Sequence, residues 1–270
     1  MPVINTNTAS QYAQDALKVN AKAMSNVMQQ LSTGSRINAA KDDAAGLSLS
    51  QNMTSQVRGL NQAVRNANDG INQLQTADGG LVETGNMLQR MRELAVQSSN
   101  STNSTSQRLY LNNEFNSLTI EINRIASGTT WNNSSLYGTS LTYQVGMNAS
   151  NLIAISVAAT DSVTLGLTSA PTISTFAGAQ SAIALIDTAI DRVNSARSDM
   201  GAVMNQLSYS ADNLTNISTN IAASRSTIMD TDYATASAQL AKNNIIQQAA
   251  TAMLAQANQQ PQSVLSLLKS

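Results

Sequence analysis

Apolar residues recur along this chain at alternating steps of four and three, the spacing that sets one stripe along a helix and, when sustained, a heptad seam between helices. Leu17, Ala21, Met24, Met28 and Leu31 begin it. A longer seam runs through Met53, Val57, Leu60, Val64, Ala67, Ile71 and Leu74 and continues at sevens through Leu81, Leu88 and Ala95. Its intermediate positions there are Asp78, Gly85 and Arg92, so the seam is expected to loosen in its second half. A shorter helix is predicted from Leu111, Phe115, Leu118, Ile122 and Ile125, ending near Gly128. The strictest seam is downstream: Ile186, Val193, Met200, Leu207, Leu214, Ile221 and Ile228, with Ile183, Ile190, Met204 and Ala211 between them and Arg197, Ser218 and Arg225 as polar interruptions. A final helix over about 234–259 carries Ile246, Ala250, Met253 and Ala257.

The middle of the chain reads differently. From about 129 to 177 it turns rich in Thr, Ser, Asn and Gly, and LTYQVG, NLIAISV and SVTLGL have the short alternating runs of strands. Trp131, in a TTWNNSSL turn, is expected as a core anchor. Proline occurs only at positions 2, 171 and 261, so nearly everything else is free to be helical. The expected fold is mainly α: a long antiparallel helical rod with a small β-hairpin section in mid-chain and no large outer domains.

Composition then removes whole classes of chemistry. The sequence has no cysteine and no histidine, which takes away the disulfide, the usual nucleophile, the usual general base and the best zinc ligands together. A net charge of -1 gives no reason to expect nucleic acid as a partner, and no apolar run reaches the length of a membrane span. No HExxH, P-loop or GxGxxG pattern occurs, so neither an enzyme nor a cofactor is expected. Lys41, Asp42 and Asp43 form a compact charge cluster, for which helix capping by one of the carboxylates fits better than metal binding. The opening MPVINTNTASQYAQDALK has neither a basic leader nor an apolar h-region, which argues against a cleaved signal peptide. Cytoplasmic retention, or export by a route that reads no cleaved signal, both remain open.

The two ends look incomplete. Fixing each residue in a helix costs about 1–2 kcal/mol of backbone entropy. The first helix offers only Leu17, Met24, Met28 and Leu31 as large seam residues, and the last is mostly Ala and Gln. Heptads ordinarily report packing within one chain, and that reading holds for the central helices. For the terminal seams burial between copies is expected, with helicity completed on assembly.

RINAAKDDAAGLSLS (36–50), RGLNQAVRNANDGINQLQTADGGL (58–81) and LQRMRELAVQ (88–97) resemble the N-terminal signature of flagellins, and NIIQQAATAMLAQANQQPQSVLSLL (244–268) resembles their C-terminus. With SARSDMGAVMNQL (195–207) and the 105–146 region, the resemblance covers almost everything except about 148–178. It implies an extracellular structural subunit that polymerises into the flagellar filament and transmits motor torque. It implies an inner domain of residues 1–42 and 233–270 in the filament core and a helical domain of 43–232, with Lys41, Asp42 and Asp43 as the linker. The core contacts expected between subunits are Leu17, Met24, Met28, Leu31, Ile246, Met253, Leu265 and Leu268. Implied partners are further copies of the chain, a filament cap, hook-junction proteins and an export chaperone. Arg90, Leu94 and Glu114 match a face read by a host innate receptor. Two alternatives stand beside this reading, a hook–filament junction protein and a coiled-coil signalling hairpin.

Overall fold

The computed structural model describes residues 6–167 and 172–269, with side chains through 259; Pro2 and Pro171 fall outside them. In chain order the elements are α1 (Thr8–Thr33), α2 (Ala44–Ser98), α3 (Thr105–Gly128), β1 (Thr130–Trp131), β2 (Ser134–Ser135), β3 (Thr139–Gln144), β4 (Leu152–Val157), α4 (Phe176–Met229) and α5 (Tyr233–Lys269). The chain divides into two compact units, Met1–Ser55 with Asn220–Ser270, and Gln56–Thr219.

The second unit owns the apolar core. Leu74, Leu81 and Leu88 of α2, Ile122 of α3, and Ile186, Met200 and Leu207 of α4 are fully buried in one cluster. Helices α2 and α4 run antiparallel, since Asn61 pairs with Ser218, Asp78 with Arg197 and Arg92 with Asp187. The expected loosening of the α2 seam does not occur. Its interleaved positions are Ala63, Gly70, Ala77, Thr84 and Met91, all buried, rather than Asp78, Gly85 and Arg92. Small residues there let the β section sit close. The Tyr143 ring lies against Gly70, and Tyr137 donates its hydroxyl to the Ala77 carbonyl at 2.6 Å. In α4 the same substitution of lines occurs, with buried Ala182, Ala189 and Ala196 alternating with Ile186, Val193 and Met200.

Helix α3 starts on a capping box. Ser104 accepts from the Gln107 backbone while the Gln107 side chain accepts from the Ser104 backbone. Its buried face carries Phe115 and Ile122, as the spacing predicts, together with Arg108, whose guanidinium donates to the carbonyls of Asn100 and Asn103. Arg108 thereby closes the loop between α2 and α3.

The β section is two antiparallel hairpins. Asn132 and Asn133 at φ 49° and 65° turn β1 into β2, the left-handed pair that a two-residue hairpin loop requires. Trp131 is therefore not a core anchor. Both β1 residues face out, Trp131 is 37% exposed, and Leu136 and Tyr137 enter the core instead. LTYQVG and NLIAISV supply β3 and β4, with Ile153, Ile155 and Val157 alternating inward. SVTLGL is not a strand. Asp161 gathers it into turns, accepting Leu165 N with its carbonyl and the Thr164 hydroxyl with its carboxylate, and Gly166 takes φ 83°.

Candidate assembly interface

The first unit is built on α1 and α5, which pack antiparallel: Asn7 meets Ala257, Asn20 meets Asn243, and Leu31 meets Tyr233. The α1 face toward α5 is Ser10, Ala13, Leu17, Asn20, Met24, Val27 and Leu31, a heptad displaced from the one predicted. Leu17, Met24 and Leu31 lie on it half-buried, while Ala21 and Met28 fall on the exposed side. On α5 the inward line is Ala236, Leu240, Asn243, Gln247, Ala250, Leu254 and Ala257, again strict in its steps of four and three. This seam is thin: its Leu and Met side chains are only half-buried and alternate with small and polar residues. Among its described residues only Val27 and Ala236 are buried apolar side chains, beside buried Ser10 and Asn20.

Leu240 and Leu254 lie half-buried on the inward line, while three other large apolar residues of α5 face the other way. Ile245 is 67% exposed, Met253 65% and Ile246 38%. Tyr12, Val19 and Met28 are likewise exposed on α1. Among the described residues of this chain nothing covers them. Leu265 and Leu268 lie outside the residues whose side chains are described. Helix α5 itself does not stop where expected, because its backbone stays helical through Pro261 to Lys269.

What joins the halves of the unit is a set of hydrogen bonds to helix carbonyls that lack their regular donor. The last carbonyls of a helix have no intrahelical partner. At the end of α4, Arg36 serves two: its Nη2 donates to Ile228 O at 2.7 Å and its backbone N to Met229 O at 2.6 Å. At the end of α1, the Tyr233 hydroxyl donates to Leu31 O at 2.5 Å, and Thr231 N donates to Gly34 O. Gly34, at φ 71°, supplies the left-handed cap that turns the chain here. The heptad pattern carries no sign of Asn7, Asn20, Arg36 or Tyr233; an amide at a seam position, as Asn20 is, was the available clue.

Lys41, Asp42 and Asp43 are exposed in the segment joining α1 to α2, beside a polar cleft of about 390 Å³. Asp43 caps α2, accepting Gly46 N at 2.9 Å, and Asp42 accepts the backbone N–H of Asn38 and Ala39. Both carboxylates are engaged by the backbone. Asp232 caps α5 in the same way; the Thr235 hydroxyl, then the Thr235 and Ala234 backbone, hold its carboxyl below the usual range.

In the second unit Arg90 donates to Glu114 and to Glu93, each at 2.9 Å, and these partners, Glu114 foremost, raise its pKa. Leu94 is not on that surface. It is fully buried in the core, so of the three residues only Arg90 and Glu114 are accessible.

The pattern that defines the bacterial flagellin N-terminal helical region matches residues 4–142, and that of the bacterial flagellin C-terminal helical region matches residues 183–268. The chain belongs to the bacterial flagellin family. It is 44% identical to a flagellin of Halalkalibacterium halodurans over 99% of this chain and 100% of that protein. The flagellin of Bacillus subtilis is 37% identical over 98% of this chain and 99% of its own length. Among solved structures, the crystal structure of Bacillus cereus flagellin matches with a TM-score of 0.51 and 30% identity, covering 60% of this chain and 94% of that one. Flagellins are non-enzymatic structural subunits of the extracellular flagellar filament, and they polymerise with copies of themselves. That is the function of this chain. Its likeness over full length to filament flagellins sets aside the signalling-hairpin and junction-protein readings. No helix among the described residues is long and apolar enough to cross a membrane.

Proposed function

We propose that the α1–α5 pair is the part of the subunit buried in the filament core, and that it becomes fully ordered only when copies stack. In this reading residues 1–42 and 233–270 form the inner domain, residues 43–232 the helical domain, and Lys41, Asp42 and Asp43 the link between them. The observation that carries it is the outward apolar stripe of α5, Ile245, Ile246 and Met253, set on a pair whose own seam buries few apolar side chains fully. Burying a large aliphatic side chain contributes about 1.5–3 kcal/mol. Stacking therefore supplies what the isolated pair lacks. Exposed Met28 adds to the surface buried between copies, Leu17, Met24 and Leu31 support the pair from within, and Leu265 and Leu268 extend the same role toward the C-terminus.

Torque from the motor would then pass along the filament through rows of packed helices. A filament cap, hook-junction proteins and an export chaperone would meet the terminal segments, and a host innate receptor would meet the Arg90–Glu114 face, with Leu94 supporting it from beneath. Circular dichroism of monomer and filament tests the ordering step. Helicity should rise on polymerisation, and equal helicity in both forms would end the coupled-ordering proposal. Met24→Asp and Ile246→Asp should abolish filaments while the thermal transition of the second unit stays where it is; filaments of normal length from both variants would refute the interface.

A further inference from the structure

A proline inside a helix has no N–H to give, so the carbonyl four residues earlier loses its donor. In α5 the proline is Pro261 and the deprived carbonyl belongs to Ala257. That carbonyl is nevertheless occupied: Asn7 Nδ2 donates to it at 2.8 Å. The other end of the same amide is also used, because Asn7 is the N-cap of α1 and its Oδ1 accepts from Ser10 N at 3.0 Å. Each bond fixes the amide's orientation for the other, since only the nitrogen can donate and only the oxygen can accept.

We infer that Asn7 is a positioning residue whose amide stands in for the missing proline N–H, so that α5 continues through Pro261 only while the first turn of α1 is docked against it. The inference rests on the assembly reading, in that the α1–α5 pair is the element that orders in the filament. Asparagine suits the task where its relatives do not. Aspartate keeps the cap acceptor but has no donor and sets a negative oxygen against the Ala257 carbonyl; serine caps a helix but is too short to reach across.

The experiment measures backbone hydrogen exchange over 258–269 in assembled filaments of the full-length chain. Asn7→Asp should speed exchange there about tenfold, the size of one net hydrogen bond, while the amides of the first turn of α1 keep their protection. Pro261→Ala restores the helix's own N–H. Asn7→Asp combined with Pro261→Ala should therefore return to wild-type exchange. Unchanged exchange in Asn7→Asp would overturn the inference, as would a defect that Pro261→Ala leaves undiminished. Should Asn7→Asp fail to polymerise at all, recovery of filaments in the double variant supports the inference and continued failure overturns it. Polymerisation of the wild-type chain is the separate control for the assembly reading, so the two fail separately.

Discussion

The two units of this chain use the same heptad grammar to opposite ends. In Gln56–Thr219 the seam residues are large, fully buried and interleaved with alanine, glycine and threonine, so the helices and hairpins close around an apolar interior. In the unit built from the chain's two ends the inward positions mix half-buried Leu and Met with small and polar residues, several large apolar residues point outward, and donors from one half complete the carbonyls of the other. A periodic pattern thus establishes that a helix has a face. What meets that face is decided by residue size and by which polar groups need partners.

The sharpest way to break the contrast is to remove the same kind of side chain from each unit. Leu88→Ala, at a fully buried position, should cost about 2–5 kcal/mol in the thermal unfolding of the monomer. Val27→Ala should move that transition far less, and a comparable loss at both positions would show that the terminal pair has a core of its own. Next in size is Gly70→Val. Any side chain at that position meets the Tyr143 ring, and overpacking of this kind costs about 1–3 kcal/mol, read from the same melt.

A smaller effect is expected from alkali. Burial pushes the Tyr143 phenol up from 10.0 to about 12. A group whose folded pKa is raised stabilises the fold fully below its unfolded value and loses that contribution as pH climbs through the folded one. The second unit should therefore weaken between about pH 10 and 12, following phenolate absorbance, and Tyr143→Phe should flatten that part of the profile. The smallest change is at Arg197, whose Nε donates to Asp78 at 2.7 Å on a partly exposed surface. Arg197→Ala should cost about 0.2–1 kcal/mol, and the loss should shrink in high salt.

The helices, their antiparallel order and the mid-chain β section were legible in the sequence because Leu, Ile, Met and Val mark one line of each seam. The second line was not, because Ala63, Gly70, Ala77 and Thr84 in α2, and Ala182, Ala189 and Ala196 in α4, have little hydrophobic signal and earn their place by letting another element approach. Polar residues read as interruptions turned out to be partners: Asp78 with Arg197, and Ser218 with Asn61. Arg92 found Asp187, a residue the pattern did not mark. At the candidate interface, Met24 and Met28 look alike in the pattern, yet one lies against α5 and the other faces away, a distinction only the packing partner can make. SVTLGL misled because alternation says nothing of the local hydrogen bonds Asp161 offers.

The bond between Asn7 and Ala257 joins residues 250 positions apart. Closing so long a loop is entropically slow, and contacts of this separation form late unless something brings the ends together first. Nearly the whole chain must therefore be gathered before this bond can close. The core of the second unit can condense meanwhile and shorten the search, which makes the order of events, centre before ends, a property of where the contacts lie along the chain.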